Sequence, residues 1–321
     1  MMQEPLVSIS LVAFNAENFI KDAVEGCLMQ KIDFPYEIII HDDASTDKTP
    51  DIIREYAKKY PEKIIPVIQL ENQFSKGIDV IAKNIIPRAR GKYIAFVEAD
   101  DYWIDPLKLQ KQVNLLESTS DLSMCFTATK VIYPNTTRKD YIKRRYKRDQ
   151  RCQAKDIILM GGRFLDMISV VVRKDIFEDL PDWYYITHIW DITVPLLALT
   201  KGEIFYLNDV SAVYRSNVPG SWTNKNVRSF DKRLNNIQKS QKVLENFDDS
   251  TNYKYHQLIS KRINNGSVGL LLLLDKQDEM YTNRYASLPI NKKIEYEFFK
   301  VFGSYRLWER YRQILRLFRG Y

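Results

Sequence analysis

Adjacent carboxylates stand directly after an apolar run at Val97-Glu98-Ala99-Asp100-Asp101, preceded by Tyr93-Ile94-Ala95-Phe96. A second acidic cluster, His41-Asp42-Asp43-Ala44-Ser45-Thr46-Asp47, follows another such run, Tyr36-Glu37-Ile38-Ile39-Ile40. Runs of this composition read as buried strands, and open α/β sheets place their ligands at strand ends. Short acids fixed there are hard oxygen donors, suited to a divalent cation that also grips a phosphate. On a solvated loop the same residues have no chemistry of their own. Two clusters in one half of the chain point to one site.

Both clusters must be held by the elements around them. Leu6 to Val12 is expected as a strand, with Asn15 capping an amphipathic helix over Ala16 to Met29, and Glu37 to His41 as the next strand. Asp47 is expected to cap a second helix, which Pro61 ends before the strand Ile64 to Ile68. This β-α-β-α-β order is the grammar of a mostly parallel sheet flanked by helices. Residues 76–88 are expected to be helical, then a strand from Lys92 to Val97, a helix from Leu107 to Leu116 behind Pro106, and a strand from Leu122 to Ala128. Residues 134–155 are basic and Tyr-rich without an apolar period, which predicts a long loop or insertion. Beyond it, Ile168 to Val172 reads as a strand, Ile192 to Leu199 as a helix, and Gly202 to Tyr206 and Val210 to Tyr214 as two short strands. From about Phe230 the pattern is helical, so the expected domains are 1–225, with halves 1–105 and 106–225, and a helical extension over 226–321.

At 321 residues and 45% hydrophobic content the chain can bury a large core. The charge of +7 is unevenly placed: residues 138–155 hold nine Lys/Arg against two Asp, and residues 289–321 hold eight against three Glu. The rest is therefore mildly acidic, which favours localised contact with an anionic lipid or substrate over a nucleic-acid-coating surface. Cys27, Cys125 and Cys152 are scattered without metal-ligand spacing, so neither a disulfide framework nor a zinc site is expected. No basic leader or long apolar stretch is present, and the expected location is cytoplasmic, at the inner membrane face if the tail binds lipid.

Val7-Ser8-Ile9-Ser10-Leu11-Val12-Ala13-Phe14-Asn15, the segment from Glu37 to Thr49, and the segment from Gly91 to Asp101 together resemble the family 2 glycosyltransferases of the GT-A fold, an α/β class. The resemblance implies a nucleotide-diphosphate sugar donor, preferentially a UDP-sugar, whose base and ribose meet Val12, Phe14 and Asp43. It places Asp100 and Asp101 at the DxD-like position, with Asp101 for Mg²⁺ or Mn²⁺ against the diphosphate and Asp100 for the sugar or ribose. Lys83 and Asn84 stand where such chains carry an Arg-Asn or Lys-Asn pair, so Lys83 either meets phosphate or sugar or is an ordinary solvated lysine. His188-Ile189-Trp190-Asp191 resembles the family's acidic base motif, which makes Asp191 the candidate general base for a glycan or lipid-linked acceptor and implies inversion. The competing role for Asp191 is helix capping; Trp183-Tyr184-Tyr185 and Trp190 favour a sugar-facing site, since flat rings stack on pyranose faces. Asn217 replaces a His usual in the segment Tyr214-Arg215-Ser216-Asn217, so one imidazole is missing from the metal's expected surroundings.

Two rival readings stand beside this one. A catalytically impaired sugar-nucleotide-binding relative accounts for Asn217, and a nucleotidyltransferase also uses strand-end acids. The second is opposed by Ala13-Phe14-Asn15-Ala16-Glu17-Asn18, which carries neither glycine nor cation to cradle a triphosphate. In the tail, Val301, Tyr305, Trp308, Tyr311, Leu315 and Phe318 recur at steps of three or four among arginines, a stripe suited either to peripheral membrane contact or to packing on protein.

Overall fold

Seven residues of β1 (Val7–Ala13) and seven of β2 (Tyr36–Asp42) are buried at nearly every position, as strands covered on both faces must be. In this computed structural model, which describes residues 4–134, 136–218, 230–271 and 285–302, they lie at the heart of a ten-stranded sheet. Its order is β3-β2-β1-β4-β9-β6-β10-β5, where β3 is Ile64–Ile68, β4 Tyr93–Glu98, β5 Tyr102–Trp103, β6 Leu122–Ile132, β9 Val171–Arg173 and β10 Glu203–Arg215. Two short strands, β7 (Tyr141–Lys143) and β8 (Gln150–Arg151), pair with β6 and β10. β1 to β4 are mutually parallel, whereas β9 runs antiparallel to β4 and β6, so the sheet is mixed.

Parallel register aligns the strand ends that carry the acids. Val12 is level with both His41 and Glu98, and Ala13 with Asp42. Helices α1 (Ile20–Leu28), α2 (Thr49–Lys59) and α3 (Lys108–Ser118) pack Ile20, Val24, Ile53, Leu109 and Val113 against the pleat presented by Ile9, Leu11, Ile38, Ile40, Ala95 and Val97. Glu37 is buried yet satisfied: Ser8 Oγ donates to it at 2.6 Å, and the Arg90 guanidinium at 2.6 and 2.8 Å. Gly26 lets α1 approach β5 closely, because a Cβ there would stand 2.9 Å from the Trp103 amide nitrogen.

Several expected boundaries move. Asn15 does not cap α1; it sits at φ 50° and its Oδ1 accepts from the Thr46 amide at 2.8 Å, tying the β1 loop to the β2 loop. Asp47 accepts from the Thr49 amide at the start of α2 and also from the Glu17 amide. Residues 76–88 form no regular helix, only short turns at Phe74–Lys76, Ile81–Ile85 and Ile86–Arg88. The two strands expected over 202–214 are one, β10, with the register shifting between Leu207 and Val210. The basic segment 134–155 contains β7, β8 and the start of the helix α4 (Ala154–Met160), and the expected strand over 168–172 begins only at Val171.

The chain divides into two units, Met1–Lys225 and Asn226–Tyr321. The second contains helices Phe230–Ser250, His256–Leu271 and Ile290–Phe302. The rest of the tail stripe, from Tyr305 on, lies outside the described residues. Among those described, no helix is long and apolar enough to cross a membrane.

Candidate active site

Three loops leave the edge defined by the ends of β1, β2 and β4. The β1 and β2 loops are tied together by side chains that cap one another's backbones: Ser45 Oγ accepts from the Asn15 amide, Thr49 Oγ1 from the Ala16 amide, and Asp42 from the Ser45 amide at 3.0 Å. Val12 is half-buried and its carbonyl accepts the Ala99 amide at 2.9 Å, so the first strand directly supports the loop bearing Asp100. Phe14 lies at this edge and is 42% exposed.

Asp43 is 2% exposed, and its two oxygens accept from the Gln73 amide at 2.7 Å and the Phe74 amide at 3.0 Å. Each carboxylate oxygen retains a lone pair, so a ligand N–H or hydroxyl would share an acceptor already positioned by the 72–75 turn. Asn84 bonds His41 at 3.1 Å, while Lys83 stands exposed in the short turn Ile81–Ile85.

Past β4 the chain turns at Glu98-Ala99-Asp100-Asp101. Antiparallel pairing of β5 with β10 sets Tyr102 opposite Val213 and so delivers Arg215 to this turn. Asp101 Oδ1 accepts from the Arg215 amide at 2.7 Å, and the Arg215 guanidinium donates to the Asp100 carbonyl at 2.9 Å. The guanidinium also lies over the Tyr102 ring at 4.3 Å and pairs with Asp22. Asp101 Oδ2 is buried with no hydrogen-bond partner. Burial, then the charges of Asp100 and Glu98, hold the Asp101 carboxyl well above the usual carboxylate range. Glu98 is raised by burial and then by Asp100, Asp191 and Asp166. Asp100 is raised by burial, opposed by a backbone hydrogen bond and by Arg215.

An orphaned acid oxygen among like charges is the environment a divalent cation relieves, so Asp101 and its neighbour Asp100 fit one. Among the described residues no group of three or more His, Cys, Asp or Glu side chains is arranged to hold a metal. The fit is therefore of the kind in which one or two carboxylates are completed by substrate phosphates and water. Asn217 is exposed at φ 65°, and Pro219 to Trp222 lie outside the described residues.

Asp191 occupies the first turn of α5 (Trp190–Lys201), backed by Gly162, whose Cβ would meet the Asp191 Cβ at 3.4 Å. Its carboxyl is pushed up to about 7 by burial and then by Asp166; Lys143 and a backbone hydrogen bond from Met167 oppose the rise. Lys143 donates to Asp166 at 2.6 Å, and Thr129 also donates to Asp166. The charge of Asp191 is felt at Glu98, the acid that ends β4, alongside that of Asp100. The sugar-facing aromatics are corrected: Trp183 and Tyr184 are buried at 2% and 0% exposure and belong to the core, while Tyr185 is open. Glu98, Asp166, Lys143 and Arg215 complete the site without having been singled out as site residues. Glu98 and Arg215 carried a signal, Glu98 in the acidic stretch after β4 and Arg215 beside Tyr214.

Residues 8–178 match the model of Glycosyl transferase family 2. The uncharacterized protein Rv1520 of Mycobacterium tuberculosis is 36% identical over 225 residues, 67% of this chain and 60% of that protein. The chain thus spans about 60% of that relative's length. The UDP-Glc:alpha-D-GlcNAc-diphosphoundecaprenol beta-1,3-glucosyltransferase WfaP of Escherichia coli is 37% identical over 113 residues, 35% of this chain and 42% of WfaP. Among solved structures, S. aureus TarS 1-349 in complex with UDP-GlcNAc has a TM-score of 0.59 at 14% identity, covering 90% of this chain and 78% of TarS. The Pyrobaculum calidifontis mannosyltransferase PcManGT, in complex with GDP-Man and Mn2+, has a TM-score of 0.53 at 15% identity, covering 96% and 83%. At these identities the structural likeness concerns the fold.

Proposed function

The chain belongs to glycosyl transferase family 2, and from that premise we propose that it transfers a sugar from a UDP-sugar to a hydroxyl of a glycan or lipid-linked acceptor, with inversion, in the synthesis of a cell-surface polysaccharide. The observation that carries this reading is the acidic turn Glu98-Ala99-Asp100-Asp101 at the end of β4, with one Asp101 oxygen buried without a partner, and with the charge of Asp191 from α5 felt at Glu98. Val12, Phe14 and Asp43 hold the nucleoside, the ring of Phe14 against the base and Asp43 accepting from base or ribose. Lys83 meets phosphate or donor sugar, and Asp100 the ribose or sugar.

Asp101 and Asp100 are the residues that would hold Mg²⁺ or Mn²⁺, with Asn217 contributing at most a neutral amide. Such a cation supplies Lewis-acid neutralisation of the departing diphosphate. Asp191 accepts the proton of the acceptor hydroxyl as the bond to the anomeric carbon forms, and a single base serving one in-line displacement inverts the anomeric centre. WfaP's name pairs a UDP-sugar with a diphosphate-linked acceptor, which supports a uridine donor.

The test is a panel of nucleotide sugars with Mn²⁺, read first as thermal stabilisation and then as product release. UDP release with a product of inverted anomeric configuration is expected. Release of pyrophosphate from a nucleoside triphosphate offered together with a sugar 1-phosphate would make the chain a nucleotidyltransferase, and donor binding without release an impaired relative. Asp101→Ala is expected to lose Mn²⁺-dependent UDP binding; undiminished binding would remove Asp101 from the metal site.

A further inference from the structure

Asp79 is a buried carboxylate, 4% exposed, that the chemistry above does not use. One oxygen accepts from the Ala82 amide at 2.9 Å, and the other from the Trp190 indole N–H at 3.0 Å, across 111 residues of sequence. The same indole meets the Phe74 ring edge-on, with centroids 6.2 Å apart, and Phe74 also packs on His188 at 5.6 Å. Trp190 is the first residue of α5 and Asp191 the second. The N-cap of α5, Ile189, supplies no side-chain hydrogen bond; only its carbonyl, accepting from the Ile192 and Thr193 amides, holds the turn that carries Asp191 from within the helix.

Resting on the assignment of Asp191 as base, we propose that Asp79 is a positioning residue: by holding the Trp190 indole it fixes the first turn of α5 and aims the Asp191 carboxylate at the acceptor hydroxyl. The anchor comes from the donor side of the site. Asp79 and Phe74 both belong to the 74–82 segment, and the Phe74 amide donates to Asp43 at 3.0 Å. Donor carboxylate and base are thereby joined through one short stretch of chain. A charged acid is the residue type this task requires, because a single amide oxygen would have to serve both the Ala82 and Trp190 donors, and a hydrogen bond to an ionised acceptor is the stronger kind. Misplacing a base by about 1 Å is enough to cost on the order of a hundredfold in rate.

The experiment uses the full chain and steady-state UDP release from UDP-glucose or UDP-GlcNAc, whichever the wild type turns over, in Asp79→Asn, Trp190→Phe, their double variant and Asp191→Asn. Trp190→Phe keeps an aromatic ring against Phe74 while removing the indole N–H and part of the ring's bulk, so it reports even if Asp79→Asn folds poorly. Expected is a fall in kcat of about tenfold or more in both single variants, donor KM within about twofold of wild type, and a double variant no slower than the slower single. A purely structural role would lower the melting temperature and leave kcat of the folded fraction unchanged; that result, or independent additive losses, overturns the proposal. Wild-type turnover by Asp191→Asn overturns the base assignment instead. Loss in Asp191→Asn beside a wild-type kcat in Trp190→Phe overturns the positioning role alone.

Discussion

Asp191 shows how the site tunes a residue by its neighbours. Its carboxyl is held at about 7 chiefly by burial, then by the adjacent Asp166, while Lys143, paired to Asp166 at 2.6 Å, draws it back down. A general base works only when deprotonated, so kcat/KM should rise with pH through about 7 and level off above it. Lys143→Met removes the opposing cation and leaves the Asp166 charge bare, so the acid limb should move to higher pH; a limb that stays in place or moves down would mean that another group titrates in catalysis. Asp191→Asn should keep donor affinity and lose roughly 10²- to 10⁴-fold in kcat, measured as product formation at saturating donor. The acids themselves were legible from sequence because adjacent carboxylates after an apolar run stand out in one dimension. Asp166 and Lys143 were not, since their effect on Asp191 depends on β7 and the turn at Asp166 meeting the start of α5 in space.

At the scale of elements, the contact of α1, α3 and β5 sets the metal turn. Trp103 in β5 touches the Gly26 position on one side and lies under the Lys108 ammonium on the other, at 4.5 Å from the ring. Lys108 is 1% exposed with its Nζ donating to Gln112 at 2.6 Å, and burial lowers its pKa to about 7. The sign of the linkage follows. Between about 7 and the ordinary lysine range the unfolded chain binds the proton and the folded chain does not, so this group makes stability rise with pH over that window. Lys108→Met should flatten the rise, read from urea midpoints between pH 7 and 9; an unchanged slope would locate the linkage elsewhere. Gly26→Ala forces backbone against backbone and should cost about 1–3 kcal/mol together with weaker Mn²⁺-dependent UDP binding, because β5 directly follows Asp101. The parallel half of the sheet was readable from its apolar runs and helix punctuation. The rest was readable only in part: β6, β9 and β10 were expected as strands, but β7 and β8 are two or three residues long, too short for any period, and β10 hides its continuity behind a bulge at 207–210.

Across the whole molecule, chemistry and basic charge are distributed unequally. Every acid assigned to donor, metal or proton transfer falls in the unit Met1–Lys225, whereas residues 289–321 hold eight Lys/Arg against three Glu. The sequence stripe Val301, Tyr305, Trp308, Tyr311, Leu315 and Phe318 sets rings and aliphatics at steps of three or four among those cations. Such a pattern suits an interfacial segment: apolar groups enter the headgroup boundary, and each nearby cation adds about 1 kcal/mol on an anionic surface. A lipid-linked acceptor would give that affinity a use, since an enzyme held at the membrane searches two dimensions for its substrate. We therefore expect the full chain to co-sediment with phosphatidylglycerol-rich vesicles at low salt, to be released as salt screens the cations, and to ignore phosphatidylcholine vesicles. A chain ending at Tyr285 should stay in the supernatant while keeping Mn²⁺-dependent UDP binding, because the residues assigned to that binding all precede Lys225. Equal partitioning of the two forms, or sedimentation that is indifferent to lipid charge, would make the tail stripe a packing surface and leave membrane recruitment to some other part of the chain.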